Sequence, residues 1–162
     1  MIFKCKFNKN EKLIILNKDT DCSSVTGNGY VQFRGKYRDK VTFYCENQWL
    51  VIQKRQHAFD TNFNRTWLEY AQGFGSLRSD FWLGLEIVSK LTQHQQYEIL
   101  IELTDWSEQT FVAQYENFMI GTEEDFFRLS LSGEYKGNAS KNYLEDVYYG
   151  KKLVRYKCFR FI

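Results

Sequence analysis

Four cysteines, two histidines and a handful of carboxylate pairs are the side chains of this 162-residue chain with the chemistry to cross-link, ligate a metal or catalyse. Cys5, Cys22, Cys45 and Cys158 permit three pairings. In a reducing compartment Cys22 and Cys45 would more often be free thiols than partners. His57 and His94 each lack a second histidine or cysteine at metal spacing, so no zinc site is expected. No G-x-S-x-G or H-E-x-x-H occurs, and no cysteine has a recognisable nucleophile context. Glu98/Glu102 and Glu123/Glu124 have the pairing that acid–base chemistry needs. Solvated faces and a helix start account for them better. Gly73-Phe74-Gly75 opens like a dinucleotide fingerprint, but Arg78 takes the place of the third glycine and a predicted helix precedes it. Neither an enzyme nor a cofactor is expected. Asn64-Arg65-Thr66 and Asn138-Ala139-Ser140 are N-glycosylation sequons, which mark surface positions in a secreted protein.

Bulk composition narrows the class. The length suits one domain with a real core. Aromatics make up 18% of residues and proline is absent, where average usage would give about eight. Such a chain packs rather than staying disordered. A net charge of +2 gives no push towards nucleic acid or an anionic membrane. No apolar run approaches the roughly 18 residues of a spanning helix. Near the N-terminus the continuous apolar run is Leu13 to Leu16, short of the about 7–15 residues in the core of a secretory leader.

The elements that must position these side chains follow from periodicity. Trp49 to Lys54 is β-branched and aromatic, as a strand requires. Asn64 stands where a helix cap would, with Trp67, Tyr70, Ala71 and Phe74 at helical spacing behind it. Gly73 and Gly75 end that helix, and Phe81-Trp82-Leu83 is an apolar block that must be buried. Leu85, Val88 and Leu91 predict a second short helix. From Gln95 to Trp106 the pattern alternates, with Tyr97, Ile99, Ile101 and Leu103 on one face. Thr110 to Ile120 reads as its partner, with Phe111, Ala113 and Tyr115 on one face, and Phe126 to Leu131 as a further strand. Glu46-Asn47-Gln48 has the length of a hairpin turn, and Asn47 is the residue best suited to positive φ there. Residues 1–21 read as an extension, in which Lys12 to Asn17 forms either a short strand or a loose arm.

The central stretch resembles a known family. W-L-V-I-Q-K-R-Q (49–56), F-N-R-T-W-L-E-Y (63–70), G-F-G-S-L (73–77) and F-W-L-G-L-E (81–86) are similar to four consecutive signatures of the fibrinogen C-terminal, or fibrinogen-related, domain. Y-E-I-L-I-E-L-T-D-W (97–106) and F-F-R-L-S-L-S-G-E-Y-K-G-N-A (126–139) extend the likeness. The resemblance implies an α+β fold: a mostly antiparallel central sheet, short flanking helices and a disulfide-tied N-terminal lobe. It divides the chain into an extension, 1–21, and a truncated domain, 22–162. It also implies that Asp21-Cys22 and Tyr44-Cys45 supply one disulfide, Cys22–Cys45. It implies an extracellular, non-enzymatic, lectin-like module of innate defence that binds glycans or extracellular proteins and can form homo-oligomers, with no nucleic-acid partner and no membrane span.

Beyond Ala139 the likeness lapses. The family's Asp-x-Asp calcium loop, second disulfide, G-G-W-W and C-H-x-x-N have no counterpart in residues 140–162. Asp146, preceded by Glu145, lacks the spacing of a calcium loop. No metal is therefore expected, and no ligand-binding residue can be assigned. Tyr148 to Lys157 resembles the family's closing strand, which returns to the middle of the sheet, so 150–160 is expected there. Cys5 and Cys158 have no partners in the family pattern, which leaves open a bridge between them if the closing strand returns beside the N-terminal arm, or a bond from Cys5 to a second chain. The basic run Lys151 to Arg160 reads as edge protection or as an acidic partner's site. Asn138 is the preferred glycan acceptor because Asn64 would be occupied as a cap. Two functions follow: a recognition module that has lost its usual pocket, or an interaction remnant whose sole activity is assembly.

Overall fold

A computed structural model describes residues 2–7, 22–34, 40–56, 61–104 and 107–139. A short 3₁₀ turn, Cys22–Ser24, leads into β2 (Asn28–Arg34), which pairs with β3 (Lys40–Glu46). β3 turns directly into β4 (Trp49–Lys54). Only Asn47 and Gln48 make that turn, with φ of 49° and 69°. Two successive positive φ angles give the primed turn that matches strand twist, so Asn47 serves as expected and Gln48 joins it without a glycine. The turn is tied down from the lobe side, since Asn47 N–H donates to Gly27 O at 2.7 Å and Gln48 N–H to Val25 O at 3.2 Å. A disulfide joins Cys22 to Cys45, with Cα atoms 5.6 Å apart. Both cysteines are buried.

β7 (Tyr97–Thr104), β8 (Thr110–Ile120) and β9 (Leu129–Gly137) form an antiparallel meander on the other side of the sheet. Between the two halves lies β1, Ile2–Phe7, antiparallel to β4 on one side and β7 on the other. The full order is β2-β3-β4-β1-β7-β8-β9, and every pairing among the described residues is antiparallel. Part of the stretch read as an extension thus holds the centre of the sheet, the place expected for 150–160. The alternation in Phe3-Lys4-Cys5-Lys6-Phe7 is the signal, because the register sets Phe3, Cys5 and Phe7 opposite the buried Ile101, Ile99 and Tyr97. Residues 140–162, with Asp146, Cys158 and the basic run, lie outside the described residues, as do Lys12–Asn17 and His57.

The helix α1 (Trp67–Gln72) corrects the expected cap. Thr66, not Asn64, is the N-cap: Glu69 N–H donates to Thr66 Oγ1 at 3.3 Å, while Thr66 N–H donates to the Glu69 carboxylate at 2.8 Å. T-x-x-E is a reciprocal capping box, and it outcompetes an asparagine two residues upstream. Gly73 ends the helix at φ 92°, and a Cβ there would lie 2.5 Å from Leu83 O, so shape as well as conformation demands glycine. β5 (Phe74–Gly75) and β6 (Phe81–Trp82) then form a small hairpin against β4. Trp82 Nε1 donates to Tyr70 O at 2.7 Å, and Tyr70 Oη donates to Phe63 O at 2.8 Å. Those bonds let two large aromatics be buried without orphaning their polar atoms.

In β8 the predicted face holds for Ala113 and Tyr115 and then switches. A register shift between Tyr115 and Asn117 brings Phe118 and Ile120 inward instead. The last predicted strand starts later than expected, at Leu129. Phe126 and Phe127 lie in the preceding turn with φ of 54° and 49°, and Glu123 and Glu124 belong to this turn rather than to a helix start. Phe127 is nonetheless core, packed beside Trp67.

Candidate functional site

The site is built on α2 (Leu85–His94). Leu85, Val88, Ser89 and Thr92 recur at helical spacing and are buried, so this stripe faces the sheet. Two of the four are polar, and both are spent on β8. Thr92 Oγ1 donates to Val88 O at 3.0 Å and accepts Ile120 N–H at 3.0 Å. Ser89 Oγ donates to Gly121 O and accepts from Gln93 Nε2, each at 2.7 Å. The C-terminal end of α2 is thereby pinned to the end of β8. The link to β7 is fixed as well, because Gln96 Nε2 donates to Asn117 Oδ1 at 2.6 Å. Asn117 is where β8 resumes its register after the irregularity.

Between the helix end, this link and the β8–β9 edge lies an open groove of about 350 Å³. His94, Gln96, Asn117, Met119, Ser130 and Ser132 are among its lining residues, and no Asp, Glu, Lys or Arg contributes. The side chains of His94, Ser130 and Ser132 have no hydrogen-bond partner among the described residues. Met119 is 42% exposed beside them. Uncommitted hydroxyls and an imidazole, positioned amides and a soft apolar side chain suit an uncharged ligand rich in hydroxyl or amide groups. The groove suits a cation poorly, because hard cations take carboxylate and carbonyl oxygens. Among the described residues no group of three or more His, Cys, Asp and Glu could hold a metal ion.

Residues singled out from the sequence fall elsewhere, His94 excepted. Glu98 accepts from Gln114 Nε2 at 2.8 Å on the sheet, and Glu124 is held below the usual carboxylate range by its bond with the Thr122 side chain. Glu98 and Glu102 share one face of β7, whereas Glu123 and Glu124 sit in the turn before β9, so the two pairs form no common centre. Asn64 is exposed and is not a cap. Asn138 is exposed too, but its side chain is committed: Oδ1 accepts Val112 N–H at 2.7 Å and Nδ2 donates to Thr110 O at 3.3 Å. Sequence reasoning missed the groove. Its traces are the polar run Thr92-Gln93-His94-Gln95-Gln96 between a helix and a strand, and two serines on alternate positions of β9.

Comparison with known proteins bears on this geometry. Residues 18–158 match the family model described as fibrinogen beta and gamma chains, C-terminal globular domain. Angiopoietin-related protein 1 of Mus musculus is 42% identical over 104 residues, which is 61% of this chain and 21% of that protein. The fibrinogen-like globe domain of human ANGPTL6 is 37% identical with a TM-score of 0.68, covering 75% of this chain and 58% of that one. Lamprey fibrin D-dimer, complexed with the peptide ligand Gly-His-Arg-Pro-amide, is 33% identical with a TM-score of 0.66 over 75% of this chain and 42% of that one. The chain therefore spans about a fifth of the first curated relatives it matches. Among the described residues no helix is long and apolar enough to cross a membrane.

Proposed function

Because the chain belongs to the family of the fibrinogen C-terminal globular domain, we propose that it is a non-enzymatic extracellular recognition module that reads its ligand in the groove between α2 and the β8–β9 edge. The carrying observation is that His94, Ser130 and Ser132 line that groove with side chains that have no hydrogen-bond partner among the described residues, beside exposed Met119. An acetylated sugar offers the matching hydroxyls, amide and methyl group. Glycan recognition of this kind needs no cation, in keeping with residues 140–162 lacking the calcium and pocket motifs that the family resemblance carries.

Immobilised N-acetylglucosamine tests the reading. The protein is expected to be retained equally with and without chelator, and His94→Ala or Ser132→Ala to weaken retention about tenfold, the loss of one good hydrogen bond. Retention that chelator abolishes would overturn it, as would retention indifferent to both substitutions. In the same setting export through a secretory pathway would present Asn64 and Asn138 as exposed acceptors, the Asn138 amide being bonded to the β8 backbone. Glycosidase treatment of Asn64→Gln and Asn138→Gln variants distinguishes the two. The second reading, a module whose sole activity is assembly, draws on Trp67, Leu68 and Phe126, large apolar residues exposed by 37%, 61% and 42%. It predicts no retention on any sugar and self-association weakened by Leu68→Asp.

A further inference from the structure

On the β2–β4 side of the sheet, at the far end of the strand order from the groove, an aromatic pair links two cations. Tyr30 of β2 stands opposite Tyr44 of β3, with ring centroids 5.4 Å apart. Lys54, the last residue of β4, holds its Nζ 4.9 Å from the centre of the Tyr44 ring. Tyr30 Oη reaches the β5–β6 turn, where it donates to Leu77 O at 3.4 Å, and Arg78 is the next residue. The turn itself is held firm. Ser76 N–H donates to Asp80 O at 3.1 Å, Ser79 N–H to Ser76 O at 2.9 Å, and Arg78 N–H to Ser76 Oγ at 3.3 Å. Tyr30 and Arg78 are exposed, and Lys54 is half-buried.

Charge there is unbalanced. Among the described residues neither Lys54 nor Arg78 has a carboxylate partner. Asp80 is wholly buried, and its Oδ1 accepts Gln56 N–H at 2.8 Å. Glu46 stands opposite Trp49 at the other end of β4, about 16 Å along the strand from Lys54, with one carboxylate oxygen buried. A lysine stacked on an aromatic face keeps its charge in place. An arginine fork takes two oxygens of a sulfate or carboxylate at once, and an exposed tyrosine ring covers an apolar face while its hydroxyl stays wet. Together these groups match a sugar ring that carries acidic substituents. An acidic peptide brings the charge without the ring, and a net charge of +2 is too small to draw nucleic acid by charge alone. We propose that Tyr30, Lys54 and Arg78 form a binding site for a sulfated, acidic polysaccharide, separate from the groove and independent of what the groove reads.

Heparin titrated into the full chain at several salt concentrations tests the site. Binding is expected to weaken as salt rises, because bound cations release the counterions of the polymer. Lys54→Gln and Arg78→Gln should each lower the slope of log affinity against log salt by about one, the share of one lost cation. Tyr30→Ala should weaken binding roughly tenfold with the slope unchanged, as the loss of one ring contact would. Tyr30→Phe keeps the ring and should bind as the parent does. Thermal melts establish that each variant is folded, and if Tyr30→Ala is not, the two cation variants still decide. Absence of binding by the parent would overturn the proposal, and so would binding indifferent to Lys54→Gln combined with Arg78→Gln. A slope that fell in Tyr30→Ala would overturn the ring's part in it. Equal or tighter binding of polyglutamate or single-stranded DNA at the same salt would overturn the ligand class.

Discussion

At the residue scale the short run from Asn62 to Tyr70 shows how polar atoms license burial. Tyr70 is 8% exposed, and its hydroxyl holds Phe63 O while its carbonyl receives the Trp82 indole. Tyr70→Phe would leave Phe63 O without that donor, so a loss of about 1–2 kcal/mol is expected in urea unfolding, with the m-value unchanged. The capping box makes a separate prediction. Thr66→Ala removes the acceptor for Glu69 N–H and is expected to cost about 1 kcal/mol. Glu69 adds a pH dependence, because the Thr66 backbone N–H and then its hydroxyl hold the carboxyl below its ordinary value of 4.5. A carboxyl lowered in the folded state stabilises above its unfolded value and loses that contribution as pH falls through the folded one. The stability difference between the parent and Glu69→Gln is therefore expected to be constant above about pH 5 and to shrink in more acidic solution. Thermal melts at a series of pH values measure it, and a difference that grew on acidification would refute the assignment.

Elements meet where helix α2 lies on β8, and there two hydroxyls join them, Thr92 at Ile120 and Ser89 at Gly121 just beyond. Thr92→Val keeps the volume but strands the buried Ile120 N–H, for an expected loss of about 1–3 kcal/mol. Because that bond also fixes the helix end that carries His94, groove binding should weaken beyond what the small loss of folded population explains. Titration of the variant well below its melting point separates the two effects. Such joints were hard to read in advance. Long periodic segments were legible: β4, α2, β7 and β8 lie where spacing put them, since each buries one regular face. Signals that depend on a single residue were not. Asn64 and Thr66 are both good caps by type, and Glu69 decided between them. The register shift in β8 leaves no mark in composition, yet it turns Phe118 inward and starts the groove wall at Asn117. The groove itself needed three elements at once, and β1 was overlooked because residues 8–21 separate its short alternating run from the family motifs.

Over the whole molecule the consequence of β1 is continuity. A disulfide-tied lobe of β2 and β3 would melt independently if it were merely tethered, but its sheet runs through β4 and β1 into the β7–β9 meander. Core residues fall on both sides of β1, including Phe43 and Val51 in one half and Tyr115 and Leu131 in the other. Unfolding is therefore expected to be one transition, with tryptophan fluorescence and far-ultraviolet circular dichroism coinciding. Cys22→Ala with Cys45→Ala opens a loop of 23 positions, and the chain-entropy estimate puts the loss at about 3 kcal/mol. The midpoint should fall while the two probes still coincide, since the lobe remains held by strand pairing and by the bonds from Asn47 and Gln48 to Gly27 and Val25. If the lobe depended on the disulfide alone, the variant would instead show an early fluorescence change from Trp49 ahead of the main loss of strand signal. That split would mean that the sheet's two halves are joined more weakly than their shared ladder implies.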